Sequence, residues 1–331
     1  MKADAVVFTA PNEVVFSQVD CPEPEADDVV IDVKHSWISN GTEGSFLRGE
    51  RIDGDTPYRE GDPWPFPIIA GYQKVGVVDW VGENVTKCKA GDWVFGLFGQ
   101  VEGLYDSRAG HVSPAITNQN QVWLLPEGVD PVAFSGLVLT QVGYNCGARC
   151  ELQPGDGAIV IGDGLVGLWT AQTLVSRGAQ VMLVGRHAYR LQKFIHEEPH
   201  SVVNSREENW IELAKERFPE GAQVGVDTVG SLKIMNDFFS VMKRGGHLVS
   251  AGFYGTEDAL SLQPLRYKEL TIQLPSGATG DRLDTTIDYI ASGKLGTLPL
   301  ITHRFPAAQA SKAWDVIKAK SEEVLGVVLD W

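Results

Sequence analysis

The sequence has few cysteines, a shortage of positive charge and no long apolar run. Its four cysteines, Cys21, Cys88, Cys146 and Cys150, are scattered without a C-x-x-C pair. This pattern argues against a disulfide framework and a zinc knuckle, and it suits a reducing cytoplasm. Lysine and arginine together number 28 against 43 aspartates and glutamates, which gives a formal net charge of -15. Such an excess of negative charge argues against nucleic acid or an anionic membrane surface as a partner.

The apolar runs are all shorter than the roughly 18 residues that a membrane span requires. Residues 1–8 have the pattern of a β-strand and not that of a signal peptide. We therefore expect a cytoplasmic protein that is neither exported nor embedded in a membrane. With 331 residues, 43% of them hydrophobic and 21% charged, the chain suits two globular domains of ordinary size.

Two hydrophobic patterns divide the chain. Up to about residue 145, short apolar runs such as 29–33, 75–80 and 93–98 are interrupted by Gly, Pro and Asp, which predicts a β-rich domain. From residue 155 onwards, predicted strands alternate with predicted helices, as in a parallel sheet covered by helices. The later predicted strands are 158–161, 181–184, 224–228, 247–251 and 324–329, and the predicted helices are 168–177, 236–242, 282–292 and 307–318.

One segment has the composition of an insertion. Residues 50–65 are rich in Asp, Gly, Pro and charged residues, which is typical of a loop. A lid over a site and a plain surface loop are both consistent with this composition.

The most informative pattern is the stretch Gly-Asp-Gly-Leu-Val-Gly at residues 162–167, between a predicted strand and a predicted helix. In such a unit the first glycine permits a tight turn and the second lets the backbone approach a pyrophosphate. The third lets the helix pack closely on the strand, and the helix N-terminus is left to hold the phosphates. The sequence therefore predicts a dinucleotide-binding unit.

The residues after the second predicted strand bear on the choice of coenzyme. A coenzyme with a free 2'-hydroxyl is usually bound there by Asp or Glu. This chain has Gly185 and Arg186 instead, with Arg190 one turn later. A glycine leaves space and an arginine offers a planar charged group for a 2'-phosphate, so we expect NADP(H). A solvated surface charge remains the alternative interpretation of Arg186.

The order of a β-rich domain, a dinucleotide domain and a short return segment resembles the medium-chain dehydrogenase/reductase superfamily over essentially the whole chain. Residues 91–94 are similar to its G-D-x-V turn, and residues 226–230 are similar to its D-x-x-G strand end. The resemblance implies an α/β protein. A GroES-like β-rich catalytic domain would span 1–145, a doubly wound Rossmann sheet would span 146–278, and 279–331 would complete the catalytic domain.

Within this superfamily the chain is similar to the bacteriochlorophyllide dehydrogenase type. The segments that carry this similarity are 38–43, 71–73, 251–254, 301–304 and 329–331. Residues 50–65 depart from that group where substrate contacts would be expected, so the same substrate is not implied.

The resemblance also implies a set of coenzyme contacts. Strand ends at 250–254 and 275–277 lie along the nicotinamide in this superfamily, and the linking helix brings a side chain near it. Together with the glycine-rich stretch, the predicted coenzyme-binding residues are Gly162, Gly164, Leu165, Val166, Gly167, Gly185, Arg186, Arg190, Thr140, Gly252, Phe253 and Ser276.

Zinc-dependent members of the superfamily use a cysteine, a G-H-E motif and a third Cys or Glu as ligands. Here Asn40 stands at the cysteine position, or Ser39 if one residue is inserted, and the G-H-E motif is replaced by Gly71, Tyr72 and Gln73. We therefore expect neither a catalytic nor a structural metal. A site formed by His35, His111 and Glu43 remains an alternative.

Without a metal ion, another group must stabilise the reacting oxygen and supply a proton. We expect Tyr72 to be this group, with Gln73 beside it, because the two occupy lost ligand positions that face the nicotinamide in relatives. Thr42 matches a hydroxyl that relays protons in zinc-dependent relatives, and Glu43 matches the acidic residue beside it. Asn40 is a candidate hydrogen-bond partner of the substrate oxygen.

These expectations predict a metal-independent, NADP(H)-dependent oxidoreductase that interconverts a secondary alcohol and a ketone on a small molecule. The alternative is reduction of an activated carbon-carbon double bond, as in quinone and enoyl reductases of the superfamily. Those enzymes also lack zinc and carry Asn where Asn40 stands, with an acidic residue three positions later, as Glu43 is. A non-catalytic nucleotide sensor is a third possibility. The resemblance also implies a homodimer.

Overall fold

The structure is a computed structural model that describes residues 1–53, 56–63, 65–195, 197–254 and 259–331. It divides into two compact units. The first comprises Met1–Val138 and Ile301–Trp331, and the second comprises Leu139–Leu300. In the part of the chain so described, none of the helices has the length and apolarity needed to cross a membrane.

Strands predominate in the first unit, whereas strands and helices alternate in the second. The strands are β1 (Lys2–Ala10), β2 (Glu13–Asp20), β3 (Asp28–Ile38), β4 (Arg51–Asp53), β5 (Thr56–Pro57), β6 (Lys74–Val81), β7 (Trp93–Gly96), β8 (Gly99–Gln100), β9 (Arg108–Ala109), β10 (Val112–Ser113), β11 (Ala115–Asn118), β12 (Val122–Leu124), β13 (Gly157–Ile161), β14 (Gln180–Gly185), β15 (Ser201–Asn204), β16 (Ala222–Asp227), β17 (Met242–Ser250), β18 (Thr271–Gln273), β19 (Ile301–Pro306) and β20 (Gly326–Asp330). The helices are α1 (Thr42–Leu47), α2 (Leu137–Ala148), α3 (Leu165–Ser176), α4 (Ala188–Leu191), α5 (Trp210–Arg217), α6 (Leu232–Phe238), α7 (Leu262–Tyr267), α8 (Gly280–Ala291) and α9 (Ala310–Lys318).

The first unit is built around the long strand β3. It pairs with β6, β11 and β20 in a sheet whose order is β12-β7-β6-β3-β20-β19 with β11 added on β3, and a smaller sheet has the order β10-β1-β2. Strand β20 runs antiparallel to β3, with Val328 opposite Trp37 and Asp330 opposite His35. The return segment therefore completes this unit by backbone pairing, and apolar clusters around Val6, Phe8 and Trp314 fill the space between strands and α9.

The second unit is a six-stranded sheet in the order β15-β14-β13-β16-β17-β18. Every neighbouring pair in it is parallel. Residues 158–160 and 181–185 are buried without alternation, as expected where helices cover both faces of a sheet. Since all strands run in one direction, their carboxyl ends lie at a single edge, and the segments that follow them are brought together there.

Most elements predicted from the sequence are confirmed, and one is wrong. The predicted helix at 236–242 is found earlier, as α6, and Met242 is already the first residue of β17. The Ser231 side chain accepts a hydrogen bond from the backbone of Ile234 and caps the helix at that earlier point. Met242 instead pairs with Ala222 of β16, so a sheet partner distant in sequence fixes its conformation.

The unit boundaries fall at Val138 and Leu300, whereas the sequence placed them at residues 145 and 278. Helix α2 packs closely on α3, because a Cβ atom on Gly143 would lie 2.5 Å from Cβ of Trp169. The same indole donates to the carbonyl of Gly296 (3.2 Å), and the rings of Tyr144 and Tyr289 lie 5.0 Å apart. Through these contacts α2 and α8 pack within the second unit.

Candidate functional site

The glycine-rich turn has the backbone conformation that its sequence suggests. Gly162 has φ +122°, and a Cβ there would lie 2.1 Å from the Thr228 hydroxyl oxygen. A Cβ on Gly167 would lie 1.9 Å from the carbonyl oxygen of Gly162, so α3 reaches β13 only because this residue is glycine. Gly164 is the N-cap residue of α3, makes no side-chain cap, and has open space beside it among the described residues. The N–H groups of this helix end therefore remain available to a phosphate, and the turn fits a dinucleotide.

Other predicted coenzyme residues follow neighbouring strands at the same edge. Gly252 and Phe253 come directly after β17, and Ser276 follows β18. A Cβ on Gly252 would lie 1.9 Å from the backbone nitrogen of Gly230, which shows how closely these two strand ends approach each other. Phe253 is mostly exposed. Thr140, in contrast, is fully buried on α2, and its contact with the coenzyme remains a prediction.

Asp227, at the end of β16, joins the segments that follow β16 and β17 by hydrogen bonds. Its buried carboxylate accepts hydrogen bonds from the backbone of Val229 (2.8 Å) and Ser231 (2.9 Å), and from the Tyr254 hydroxyl (2.6 Å). Burial and the hydrogen bond to this carboxylate raise the pKa of Tyr254, so the phenol stays protonated. The segment before Tyr254 is thereby held against the end of β16.

An acidic side chain that the sequence analysis missed, from the turn after β13, lies against the end of β14. Asp163 is buried, and its Oδ2 accepts from the backbone N–H of Arg186 (2.6 Å) and of His187 (2.8 Å). A Cβ on Gly185 would lie 2.5 Å from the same oxygen. The carboxylate of Asp163 therefore occupies the strand end where Gly185 leaves space. It was missed because Asp163 belongs to the glycine-rich stretch and not to the segment after the second strand.

Cationic and imidazole groups surround this carboxylate. Nδ1 of His187 lies 3.0 Å from each of the Asp163 oxygens, and a guanidinium nitrogen of Arg190 lies 3.8 Å from Oδ1. Burial opposes ionisation of Asp163, but the hydrogen bonds from His187 and from the Arg186 backbone outweigh it and lower its pKa. The Arg186 side chain is exposed. The end of β14 thus presents one carboxylate and two arginines.

The first unit brings together several of the residues predicted to be catalytic. The turn that joins β3 to α1 contains Ser39 and Asn40, and α1 begins at Thr42. The side chains of Ser39 and Thr42 interact with the half-buried Tyr72. Burial raises the pKa of Tyr72 to about 12; the hydrogen bond from Ser39 opposes this rise, and the charge of Glu43 adds to it. Tyr72 is therefore a neutral phenol at physiological pH.

The side-chain oxygen of Asn40 is a hydrogen-bond acceptor that a ligand could use. Its side-chain nitrogen donates to the carbonyl of Leu325 (2.8 Å), which fixes the orientation of the amide. Its Oδ1 is buried and has no hydrogen-bond partner among the residues that the structure describes. A buried amide oxygen without a partner is costly, so a donor from a ligand would be favourable at this position.

Glu43 belongs to a buried hydrogen-bonded network. Its Oε1 accepts from the backbone of Ser39 (2.7 Å), and its Oε2 lies 2.8 Å from Nε2 of His111. Nδ1 of His111 lies 2.9 Å from the Ser36 hydroxyl, which also accepts from the indole of Trp331 (2.9 Å). The Ser36 hydroxyl has one hydrogen that it can donate to Nδ1, and in that arrangement Nε2 carries the imidazole proton and donates to Glu43. Both members of the Glu43–His111 pair are almost completely buried.

His111 also fixes the residue before Tyr72. Gly71 has φ +94°, and a Cβ there would lie 2.9 Å from two atoms of the His111 ring. Gln73, on the other side of Tyr72, is fully buried and donates to the carbonyl of Trp37 (3.2 Å). Glu43 and Gln73 were both predicted to be catalytic, and that role stays a prediction; their contacts with Ser39, His111 and Trp37 hold the segments next to Tyr72.

The residues at the lost zinc-ligand positions do not fit a zinc ion. The amides of Asn40 and Gln73 are neutral and already donate to backbone carbonyls, and Tyr72 stays protonated. The alternative metal site of His35, His111 and Glu43 is not formed either. His35 pairs with Asp330 (2.7 Å), whereas His111 pairs with Glu43. Outside residues 54, 55, 64, 196 and 255–258, the structure shows no group of three or more His, Cys, Asp or Glu side chains that could hold a metal.

The chain is similar in sequence to known dehydrogenases. Residues 166–292 match the family model of the zinc-binding dehydrogenases. The chain is 24% identical over 344 residues to 2-desacetyl-2-hydroxyethyl bacteriochlorophyllide A dehydrogenase from Cereibacter sphaeroides, covering 100% of this chain and 99% of that one.

Solved structures share the fold. A short chain alcohol dehydrogenase from E. coli CFT073, complexed with NADH, has a TM-score of 0.85 at 20% identity and covers 100% of this chain and 99% of its own. A zinc-binding dehydrogenase from Sinorhizobium meliloti 1021, bound to NADP, has a TM-score of 0.83 at 19% identity, with 100% of both chains covered. The resemblance to the medium-chain dehydrogenase/reductase superfamily and its combination of a GroES-like and a Rossmann domain are confirmed.

Proposed function

We propose, because the chain resembles the medium-chain dehydrogenase/reductases over its whole length, that it is a metal-independent, NADP(H)-dependent oxidoreductase that interconverts a secondary alcohol and a ketone. The comparisons support an oxidoreductase of this superfamily. The observation that carries the finer proposal is Tyr72, a neutral phenol at a lost ligand position that interacts with the side chains of Ser39 and Thr42. The named relative supports the reaction class, since its name gives a dehydrogenase of a compound that carries a hydroxyethyl group, which is an alcohol.

The second unit would hold the coenzyme, which supplies or accepts the hydride. The backbone N–H groups at Gly164, Leu165 and Val166 would bind the pyrophosphate at the start of α3. Gly252, Phe253 and Ser276, at the neighbouring strand ends, would lie along the rest of the dinucleotide. Arg186 and Arg190 would bind a 2'-phosphate.

Tyr72 would stabilise the reacting oxygen and supply the proton. As a neutral phenol it can donate a hydrogen bond to a ketone oxygen, and this bond strengthens as the oxygen gains negative charge. An alkoxide is more basic than a phenolate of pKa about 12, so the proton passes from Tyr72 to the product oxygen. The hydroxyls of Ser39 and Thr42 then stabilise the phenolate, and Thr42, which is only half-buried, would return the proton.

Asn40 would orient the alcohol. Its unpartnered Oδ1 can accept the hydrogen of the product hydroxyl, while its nitrogen remains bonded to Leu325. The spacing of Asn40 and Glu43 also suggested reduction of a carbon-carbon double bond. In the structure both carboxylate oxygens of Glu43 are engaged with Ser39 and His111, so this residue has a positioning role that accounts for its presence. This favours the alcohol and ketone reaction.

The reaction class is tested with two sets of acceptors. We expect NADPH consumption with secondary ketones of increasing size and little or none with α,β-unsaturated carbonyls that lack a reducible ketone. The measurement is the loss of NADPH absorbance together with identification of the product. Activity confined to the unsaturated compounds would overturn the proposal, and saturable coenzyme binding without turnover on either set would favour a nucleotide sensor.

The choice of coenzyme is tested with Arg186→Ala. Loss of one arginine that contacts a phosphate is expected to weaken NADPH binding by about tenfold, and to change NADH binding by less than about twofold. Fluorescence titration with each coenzyme measures both values. Arg244→Ala is the matched control, since Arg244 is an exposed arginine near the amino end of β17, paired with Glu269. Equal weakening of both coenzymes by Arg186→Ala would contradict a 2'-phosphate contact.

We also propose a cytoplasmic homodimer that acts on small molecules and binds neither nucleic acid nor membrane. Strand β18 lies at the edge of the parallel sheet, followed by the exposed Leu274. A strand edge beside exposed apolar side chains is suited to pairing with a second copy. Sedimentation of the purified protein tests this assembly.

A further inference from the structure

The end of β14 combines features of two coenzyme sites. Sites for NAD(H) place a carboxylate at this strand end to accept from the 2'-hydroxyl, whereas sites for NADP(H) place an arginine there. This chain has Arg186 in sequence at that point and the carboxylate of Asp163 in space beside Gly185. We propose that Asp163 sets the ratio of NADP(H) to NAD(H) affinity, accepting from the 2'-hydroxyl of NAD(H) and opposing the 2'-phosphate of NADP(H). This inference rests on the proposed coenzyme-dependent function.

Geometry places Asp163 where a strand-end acid would act. The carboxylate lies directly against Gly185, since a Cβ on that residue would come within 2.5 Å of both Cβ and Oδ2 of Asp163. The backbone of Arg186 and His187 donates to it at 2.6 and 2.8 Å. An aspartate or glutamate side chain at 185 is therefore excluded by the aspartate that is already there.

Asp163 retains capacity for one more donor. A carboxylate has about four acceptor positions, and among the described residues three N–H groups lie within hydrogen-bond distance of this one: the backbone of Arg186, the backbone of His187 and Nδ1 of His187. The Arg190 guanidinium, at 3.8 Å from Oδ1, forms an ion pair beyond hydrogen-bond distance. Because these donors favour the charged form, the group is a carboxylate at neutral pH. A ribose hydroxyl can supply the remaining hydrogen bond, whereas a phosphate has none to supply.

The two arginines act in the opposite direction. Arg190 lies 3.8 Å from Oδ1 of Asp163, and Arg186 is exposed at the start of the loop. Their charges exceed that of the single carboxylate, so a phosphate remains attractive at this end of the sheet, but less so than without Asp163. We therefore expect a protein that binds both coenzymes. In this protein Asp163 lowers the ratio of NADP(H) affinity to NAD(H) affinity.

A role as a loop anchor alone is the competing explanation. In that case Asp163 would only hold residues 186 and 187 in place, and both coenzymes would depend on it equally. Asp163→Asn separates the two roles, because the amide oxygen still accepts from the backbone while the negative charge is removed.

The test uses the half of the coenzyme that reaches this end of the sheet. The purified full chain, its Asp163→Asn variant and the control Asp281→Asn, which removes an exposed acid in the first turn of α8, are titrated calorimetrically with 2',5'-ADP and with 5'-AMP. The two ligands differ only in the 2'-phosphate. NADPH and NADH are then titrated by fluorescence, so that no turnover is required.

For Asp163→Asn we expect 2',5'-ADP to bind about tenfold more tightly and 5'-AMP about threefold more weakly, with both unchanged in Asp281→Asn. Equal changes for both ligands, or no change, would make Asp163 an anchor and overturn this inference while leaving the coenzyme proposal intact. Failure of the unaltered protein to bind either ligand or either coenzyme would overturn both. If Asp163→Asn does not fold, Asp163→Ser, which also keeps an oxygen acceptor without charge, has the same expected ratio.

Discussion

Tyr72→Phe is expected to lower kcat for ketone reduction by roughly two to four orders of magnitude, the usual contribution of a positioned proton donor. The substitution removes only the hydroxyl that interacts with Ser39 and Thr42, and leaves the ring in place. The glycine-rich turn belongs to the other unit, so coenzyme affinity should not change. Steady-state kinetics with NADPH and the best ketone, beside a fluorescence titration with NADPH, measure the two effects separately.

Tyr105→Phe is the matched control, because Tyr105 is exposed and belongs to the same unit. It should retain the full turnover rate. A Tyr72→Phe variant with unchanged kcat would remove Tyr72 from the mechanism, and the ketone oxygen would then need another donor.

The pH dependence should identify the same group. The neutral form of Tyr72 is the acid that reduction needs, and its raised pKa of about 12 keeps that form populated across the neutral range. Reduction should therefore show no loss from Tyr72 up to about pH 10. Alcohol oxidation needs the phenolate, so its rate should rise with pH without a plateau below about pH 11, and Tyr72→Phe should abolish the rise.

Lys74→Met is expected to change stability by several kcal/mol in a pH-dependent way. Lys74 is fully buried in β6, where its amine donates to the carbonyls of Leu97 (2.6 Å) and Ala109 (3.3 Å). Burial lowers its pKa to about 7. The unfolded chain binds this proton below about pH 10.4, whereas the folded chain binds it only below about pH 7.

The difference between the pKa of Lys74 in the folded and unfolded states sets the direction in which stability changes with pH. Above the unfolded pKa both states are neutral, and Lys74 carries no ionisation cost. As pH falls from about 10.4 towards 7, the unfolded state gains a proton that the folded state cannot accept, and the folded state loses about 5 kcal/mol. Methionine has no such linkage, but it leaves two carbonyls without the amine, at about 1–3 kcal/mol. Lys74→Met should therefore be the more stable protein at pH 7 and the less stable near pH 10.

Denaturant unfolding of both proteins at pH 7 and near pH 10 measures whether their order of stability reverses. Lys87→Met, which removes an exposed lysine from the same unit, should show no pH-dependent difference from the unaltered protein. If the difference between Lys74→Met and the unaltered protein is the same at both pH values, Lys74 is not held neutral by the fold.

The sequence was sufficient wherever the relevant interactions are local. The strand before Gly162, the turn and α3 follow each other directly, so spacing and glycine positions predict a dinucleotide unit. Asp163 stands in that same stretch, yet its role depends on Gly185 and Arg186, which belong to another strand end. Spacing along the chain contains no signal for such a contact.

The first unit shows the same distinction. Asn40, Tyr72 and Gln73 are identified by their positions in motifs, but the motifs do not show which of them are free to act. Gln73 donates to the backbone of Trp37, and Glu43 pairs with His111, contacts that the motifs do not reveal. The insertion-like segment 50–65 includes residues 54, 55 and 64, which lie outside the described part of the chain, and its role stays open.

By itself, the sequence determined the two-domain α/β class and the place of the glycine-rich turn, and it predicted that zinc ligands are missing, because these depend on residue type, periodicity and short spacing. Only the tertiary structure decided which polar groups are ionised, partnered or available. Those properties arise from burial and from hydrogen bonds between segments far apart in the chain, as between Glu43 and His111 or between Asp163 and His187. The protonation state of Tyr72 and the carboxylate beside Gly185 therefore emerge only when the strands are brought together.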